Sequence, residues 1–144
     1  MYQHILVPTD GSDISRKAVA HAVALARSVG AAVHTVSVRD PFPYAAVSEV
    51  QAFSPQEYVE AQERIAQTRV DEVRAACREA GLACEGTVVE ADHPWQAIID
   101  QARQHGCDLI VMASHGHGGV AALLLGSETQ KVLTHTTIPV LIVR

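Results

Sequence analysis

Residues 109–127 read Leu109-Ile110-Val111-Met112-Ala113-Ser114-His115-Gly116-His117-Gly118-Gly119, then Val120 to Leu125, then Gly126-Ser127. Four apolar residues in a row, without polar alternation, suit a strand buried on both faces, as in a parallel sheet. Glycines follow, and Ser127 starts a helical stretch that runs to about His135. Strand, glycine-rich loop and helix N-terminus together bring backbone N–H groups and a favourable dipole to one place, which is what a phosphate needs.

Outward from this stretch the same alternation recurs. Val140-Leu141-Ile142-Val143 is the fifth strand, after the helix that ends near His135. Toward the N-terminus, Pro94 to Gln104 forms a helix opened by Asp92 or His93 and stopped by Gly106, and Cys84 to Glu90 is a polar-flanked third strand. Ser54-Pro55-Gln56-Glu57 combines an N-cap, an N1 proline and an N3 glutamate, a capping box. Its helix carries Val59, Ala66, Val70, Val73, Cys77 and Ala80 on one face and stops at Gly81. Val33 to Val38 is the second strand. Ser12 caps a first helix whose stripe is Ala18, Ala22, Leu25, Ala26 and Val29, ending at Gly30, and Ile5-Leu6-Val7 is the first strand. The order β-α-β-α-β-α-β-α-β calls for an α/β fold, a mostly parallel sheet with helices on both faces. Arg39 to Phe53 is the one long connection, read either as a lid or as a loop packing its aromatics on the domain.

Composition narrows the function. With 144 residues the length favours one domain over 1–144, and 48% apolar with 19% charged residues is an ordinary globular mix. A net charge of −5 argues against nucleic acid or an anionic membrane as partner. No apolar run reaches the roughly 18 residues of a membrane helix. The stretch Met1-Tyr2-Gln3-His4 has no basic region and does not read as a signal peptide. Cys77, Cys84 and Cys107 form no C-x-x-C pair, which suits a reducing, cytoplasmic setting.

In a doubly wound sheet, ligands sit beyond the carboxyl ends of strands where the winding reverses. Pro8-Thr9-Asp10-Gly11 and the loop after Met112 belong there. On these residues the chain resembles the universal stress protein family. The opening I-L-V-P-T-D-G-S, then A-S-H-G, nine residues, G-S, and the closing T-I-P-V-L-I-V-R carry the likeness along the whole chain. The ATP-binding branch of that family has G-x-x-G, nine residues, then G followed by Ser or Thr. Gly116, Gly126 and Ser127 fit it, whereas Ala113 stands where the first glycine belongs.

The resemblance implies a five-stranded parallel open sheet in the order 3-2-1-4-5, and ATP, with Mg²⁺, as ligand. It implies that Asp10 holds adenine or ribose, with Pro8, Thr9 and Val38 walling the base and Met112 near the ribose. It also implies that Gly116, His117, Gly126, Ser127 and Glu128 line the phosphates, with Ala113 and His115 among the nucleotide-binding residues. His117 replaces the Arg or Lys usual in ATP-binding relatives, and no Lys or Arg lies between Met112 and Gln130. A histidine there implies an ATP affinity that falls as pH rises from about 6 to 8. The resemblance further implies a homodimer paired through strand 5, an apolar edge that otherwise invites aggregation.

Plainer readings stand beside these. Ser127-Glu128-Thr129-Gln130 is also an S-x-x-Q capping box, and Asp10 also suits a turn or helix cap. Gly116 to Ala121 satisfies a dinucleotide fingerprint, but it follows the fourth strand and no acid stands about 20 residues on. His115 and His117 lack a further ligand at metal spacing, the other histidines are scattered, and Trp95 reads as a packing anchor. Neither a Walker A motif nor the paired acids of a phospho-acceptor receiver are present. Phosphoryl transfer wants a base and cationic charge at the γ-phosphate. The residues therefore favour a nucleotide-binding regulator, with a nucleotide-free scaffold and a slow ATPase as alternatives.

Overall fold

A computed structural model describes residues 1–42, 54–117 and 125–144. Most of the lid candidate, including Pro43, Tyr44 and Phe53, and Gly118, Gly119 and residues 120–124 of the glycine-rich loop lie outside the described residues. The elements are β1 (His4–Pro8), α1 (Asp13–Val29), β2 (Ala32–Arg39), α2 (Pro55–Glu79), β3 (Cys84–Glu90), α3 (Pro94–Gln104), β4 (Leu109–Ala113), α4 (Ser127–His135) and β5 (Val140–Val143). All strand pairs are parallel, and the sheet order is β3-β2-β1-β4-β5, as expected.

The uninterrupted apolar runs have the expected cause. Along β1 and β4, Ile5, Val7, Leu109 and Val111 face a layer made with Ala18, Ala22 and Ala26 of α1 and Val73 and Cys77 of α2. Leu6, Ile110 and Met112 point to the opposite face and pack on Ile98, Ile99 and Ala102 of α3 and Val132 of α4. Alternate residues of a strand thus feed two cores, and the buried run Ile5–Val7 of β1 and all of β4 are apolar. Val29, placed on the α1 stripe from sequence, is instead 37% exposed, because the helix is ending and turning away at Gly30.

Helix starts follow the sequence at α1, α2 and α3 and depart from it at α4. Ser12 Oγ accepts from Ser15 N at 3.2 Å, and the Ser54–Glu57 capping box is complete. At α3 the N-cap is His93, with no side-chain cap of its own. Glu128 supplies the missing acceptor from α4, its Oε2 taking the Trp95 N–H at 2.8 Å. The S-x-x-Q capping box at α4 does not form. Gly126 takes the N-cap position, Ser127 becomes the first helical residue, and Gln130 Nε2 donates to the Leu125 carbonyl at 2.8 Å instead. Trp95 stacks on His135 with centroids 4.4 Å apart, and Phe42 packs edge-on against Tyr58 of α2.

Candidate functional site

β1 pairs with β2 on one side and β4 on the other, so the chain winds outward in opposite directions from the β1–β4 boundary. Beyond the carboxyl ends of these strands lies a cleft of ≈ 500 Å³. Every residue singled out from sequence lines it. Pro8, Thr9 and Asp10 come from the end of β1, Val38 from β2, and Met112 and Ala113 from β4. His115, Gly116 and His117 come from the loop that follows, and Gly126, Ser127 and Glu128 from the start of α4.

The floor is held by a hydrogen-bonded turn. Thr9 Oγ1 accepts from Gly11 N at 3.3 Å and from Ser15 Oγ at 3.1 Å, and Ser15 Oγ in turn accepts from Asp10 N at 3.3 Å. Asp10 Oδ1 accepts from Ser12 N at 2.9 Å and Ser12 Oγ at 2.5 Å, the turn role foreseen as its plainer reading. Asp10 Oδ2 accepts from His117 N at 3.0 Å, which ties the β1 turn to the β4 loop. Burial alone would raise the Asp10 carboxyl, but the donors from Ser12 and His117 outweigh it and hold the group below its ordinary value. Two carboxylate oxygens offer about four lone-pair sites. Three donors use them, leaving room for one more, such as a ribose hydroxyl or an exocyclic amine.

The motif glycines answer to space rather than to backbone conformation. Neither Gly116 nor Gly126 has a positive φ. A Cβ on Gly116 would run into Asp10 Oδ2, and one on Gly126 would press on His115 Cα at 3.1 Å. Gly126 N donates to the Ser114 carbonyl at 2.7 Å, so the loop is pinned at its base. Thr129 Oγ1 donates to the Ala113 carbonyl at 2.9 Å. Ala113 itself ends β4 in register with Val143, and no non-glycine residue among those described has a positive φ. The alanine in place of the first motif glycine therefore costs the backbone nothing.

Charge around the cleft differs from the sequence expectation in its sources. His117 Nε2 donates to the Asp10 carbonyl at 2.7 Å, so a phosphate would have to meet the other ring nitrogen. Glu128 lines the cleft, but its carboxylate is engaged by the Trp95 N–H. Two arginines that the loop motif does not contain line the cleft as well, Arg39 from β2 and Arg69 from α2. Arg39 is spoken for, with Nε 2.7 Å from Glu63 Oε2 and Nη1 3.3 Å from Glu90 Oε1. Arg69 lies over Gly11, its Nε 3.0 Å from where a Cβ there would be, and has no hydrogen bond or ion pair among the described residues. Sequence reading missed it because α2 announces itself only as an amphipathic helix. On the far side of the Asp10–His117 link, an open hollow of ≈ 670 Å³ is lined by Gly11, Ser12, Arg16, Lys17 and His115.

Comparison with known proteins agrees with this geometry. A universal stress protein of Thermus aquaticus is 34% identical over 145 residues, covering all of both chains. The solved structure of protein MJ0577, a universal stress protein of Methanocaldococcus jannaschii, superposes with a TM-score of 0.84 at 28% identity, covering 99% of this chain and 96% of that one. A universal stress protein solved in complex with cAMP has a TM-score of 0.73 at 26% identity, covering 99% and 97%. The family model described as the universal stress protein family matches residues 1–144, and the chain belongs to that family.

Proposed function

We propose that the cleft binds an adenine nucleotide, ATP with Mg²⁺ in the first place, and that the protein acts as a regulator whose nucleotide is a signal rather than a fuel. The observation that carries this reading is the convergence of three separate sequence stretches on one cleft at the reversal of the sheet. The cAMP complex of a related protein supports the ligand class. Val38, Met112 and Pro8 offer apolar walls for a base, and Asp10 keeps one acceptor site for a ribose or amine donor. The start of α4, without a side-chain cap among the described residues, and Arg69, unpaired among them, offer positive potential to phosphates. Asp40, the cleft carboxylate not committed to the turn after β1, would hold Mg²⁺, which would supply charge neutralisation for the phosphates. Of the bases that line the cleft, Asp10, His115, His117 and Glu128 each already hold a hydrogen bond within the protein, which favours binding over turnover. The cytoplasmic setting inferred from the cysteines stays part of this reading; no helix among the described residues is long and apolar enough to cross a membrane.

A second reading, a nucleotide-free dimeric scaffold, is favoured by the carboxylates of Asp10 and Glu128 in the cleft. Calorimetry with ATP and Mg²⁺ separates the two. The wild type is expected to bind, Gly126→Val to lose at least about tenfold in affinity (about 1.4 kcal/mol), and Arg69→Gln to weaken ATP while leaving adenosine unchanged. Absence of binding at millimolar ATP selects the scaffold.

A further inference from the structure

Away from the nucleotide cleft, the sheet brings together three residues that lie far apart in sequence. His34 on β2 is the register partner of Glu85 on β3, so both side chains leave the same face of the sheet side by side. α3 packs on β2, and its C-cap residue His105 stacks on the His34 ring with centroids 3.8 Å apart and planes 18° apart. One ligand atom from each of His34, Glu85 and His105 lies within 4.8 Å of the other two.

The surroundings are built in the manner of a ligand site. His34 is 6% exposed, and Thr87 Oγ1, two residues beyond Glu85 on the same face, sits 2.9 Å from His34 Nε2 and fixes the ring. Gln101, one helical turn before His105 and so on the same face of α3, contacts His34. Gln101 is only 8% exposed, and its buried Oε1, turned to the His34 ring, makes no hydrogen bond of full geometry among the described residues. A buried acceptor of this kind carries a cost that a bound cation or its water would remove.

The geometry points to His34, Glu85 and His105 as the ligands of a borderline divalent transition-metal ion of the Zn²⁺ type, with Thr87 orienting His34 and the Gln101 carbonyl facing the ion or its water. Two imidazoles and a carboxylate make up a three-ligand set that leaves a fourth position open. Imidazole lone pairs lie in the ring plane, so two stacked rings do not aim at one ion. Capture therefore turns one ring out of the stack. His105, half-exposed at a helix end, is free to turn, whereas His34 is walled in. The ion would staple the outer strand of the sheet, through β2, to the end of α3.

The test uses the full chain, freed of metal with a chelator and titrated with Zn²⁺ alone by calorimetry, with Co²⁺ as a spectroscopic probe. One ion per chain, a raised melting temperature and the intense visible absorption of four-coordinate Co²⁺ are expected. Thr87→Val should weaken Zn²⁺ by about tenfold, and Glu85→Gln and His105→Gln by more. These two variants change exposed or half-buried groups, so the fold should survive them. His21→Gln, on the exposed face of α1, should bind as the wild type does. Affinity unchanged in Glu85→Gln and His105→Gln, loss in His115→Gln/His117→Gln instead, or no uptake at submillimolar Zn²⁺ would each overturn the assignment.

Discussion

At the scale of the residue, Asp10 does more than one thing. Its carboxylate closes the turn after β1 through Ser12 and reaches across to His117, so the cleft beyond the strand ends and the fold share one group. Because its folded-state carboxyl lies below the ordinary value of about 3.9, the stability it contributes is fully present above about pH 4 and is lost as pH falls through the lowered value. Asp10→Asn should be less stable than the wild type by roughly 1–2 kcal/mol near neutrality, with the gap closing as the pH drops below about 4. Chemical denaturation across that range measures it, and a gap that stays constant would mean that charge is not involved. That Asp10 would sit at a ligand cleft was legible from P-T-D-G after a buried strand. Its partner was not, since nothing in the sequence pairs Asp10 with His117. The same holds for Arg69, and for His34 with Glu85 and His105, which only strand register and helix docking bring together.

At the scale of the element, local chemistry named most helix boundaries correctly because Ser12, Ser54-Pro55 and the stop glycines act on their own neighbours. α3 and α4 break this pattern in a connected way. α4 gives up its foreseen cap to Gly126 and lends Glu128 to the start of α3, so the two helices that share one face of the sheet are joined head to head. A carboxylate at a helix N-terminus gains from both the hydrogen bond and the dipole. Glu128→Ala should cost about 1 kcal/mol, a fall in melting temperature of about 3 °C. Glu128→Gln, which keeps an acceptor, should lose less. Equal stability of all three proteins by thermal unfolding would remove the cross-helix cap. Gly86 of β3 makes room for Val70 of α2, which a Cβ would strike.

At the scale of the whole molecule, the sheet has unlike edges. β3 shows Glu85 and Glu90 to its surroundings, whereas β5 reads Val140-Leu141-Ile142-Val143. Val140 and Ile142 pack toward α3 and α4, and Val143 toward α1, but Leu141 is 41% exposed on an open edge. An exposed apolar edge strand is a pairing hazard unless covered, which supports the proposed dimer through β5, formed by two copies of the same strand about a two-fold axis. Leu141→Lys should give monomer or aggregate by light scattering, and an undisturbed dimer would rule out this interface.

The pinned base of the loop after β4 has a consequence for how such a protein can vary. Gly126 N bound to the Ser114 carbonyl, with Ser114 N bound to the Val143 carbonyl at 2.8 Å, seals the sheet before the excursion begins. These two main-chain bonds hold the ends of the loop, while His117 stays tied to the turn after β1 through Asp10. Doubling the length of a loop costs only about 0.6 kcal/mol of closure entropy. Insertions, deletions or replacements between the two anchors are expected to leave the scaffold folded, a tolerance that two main-chain contacts supply.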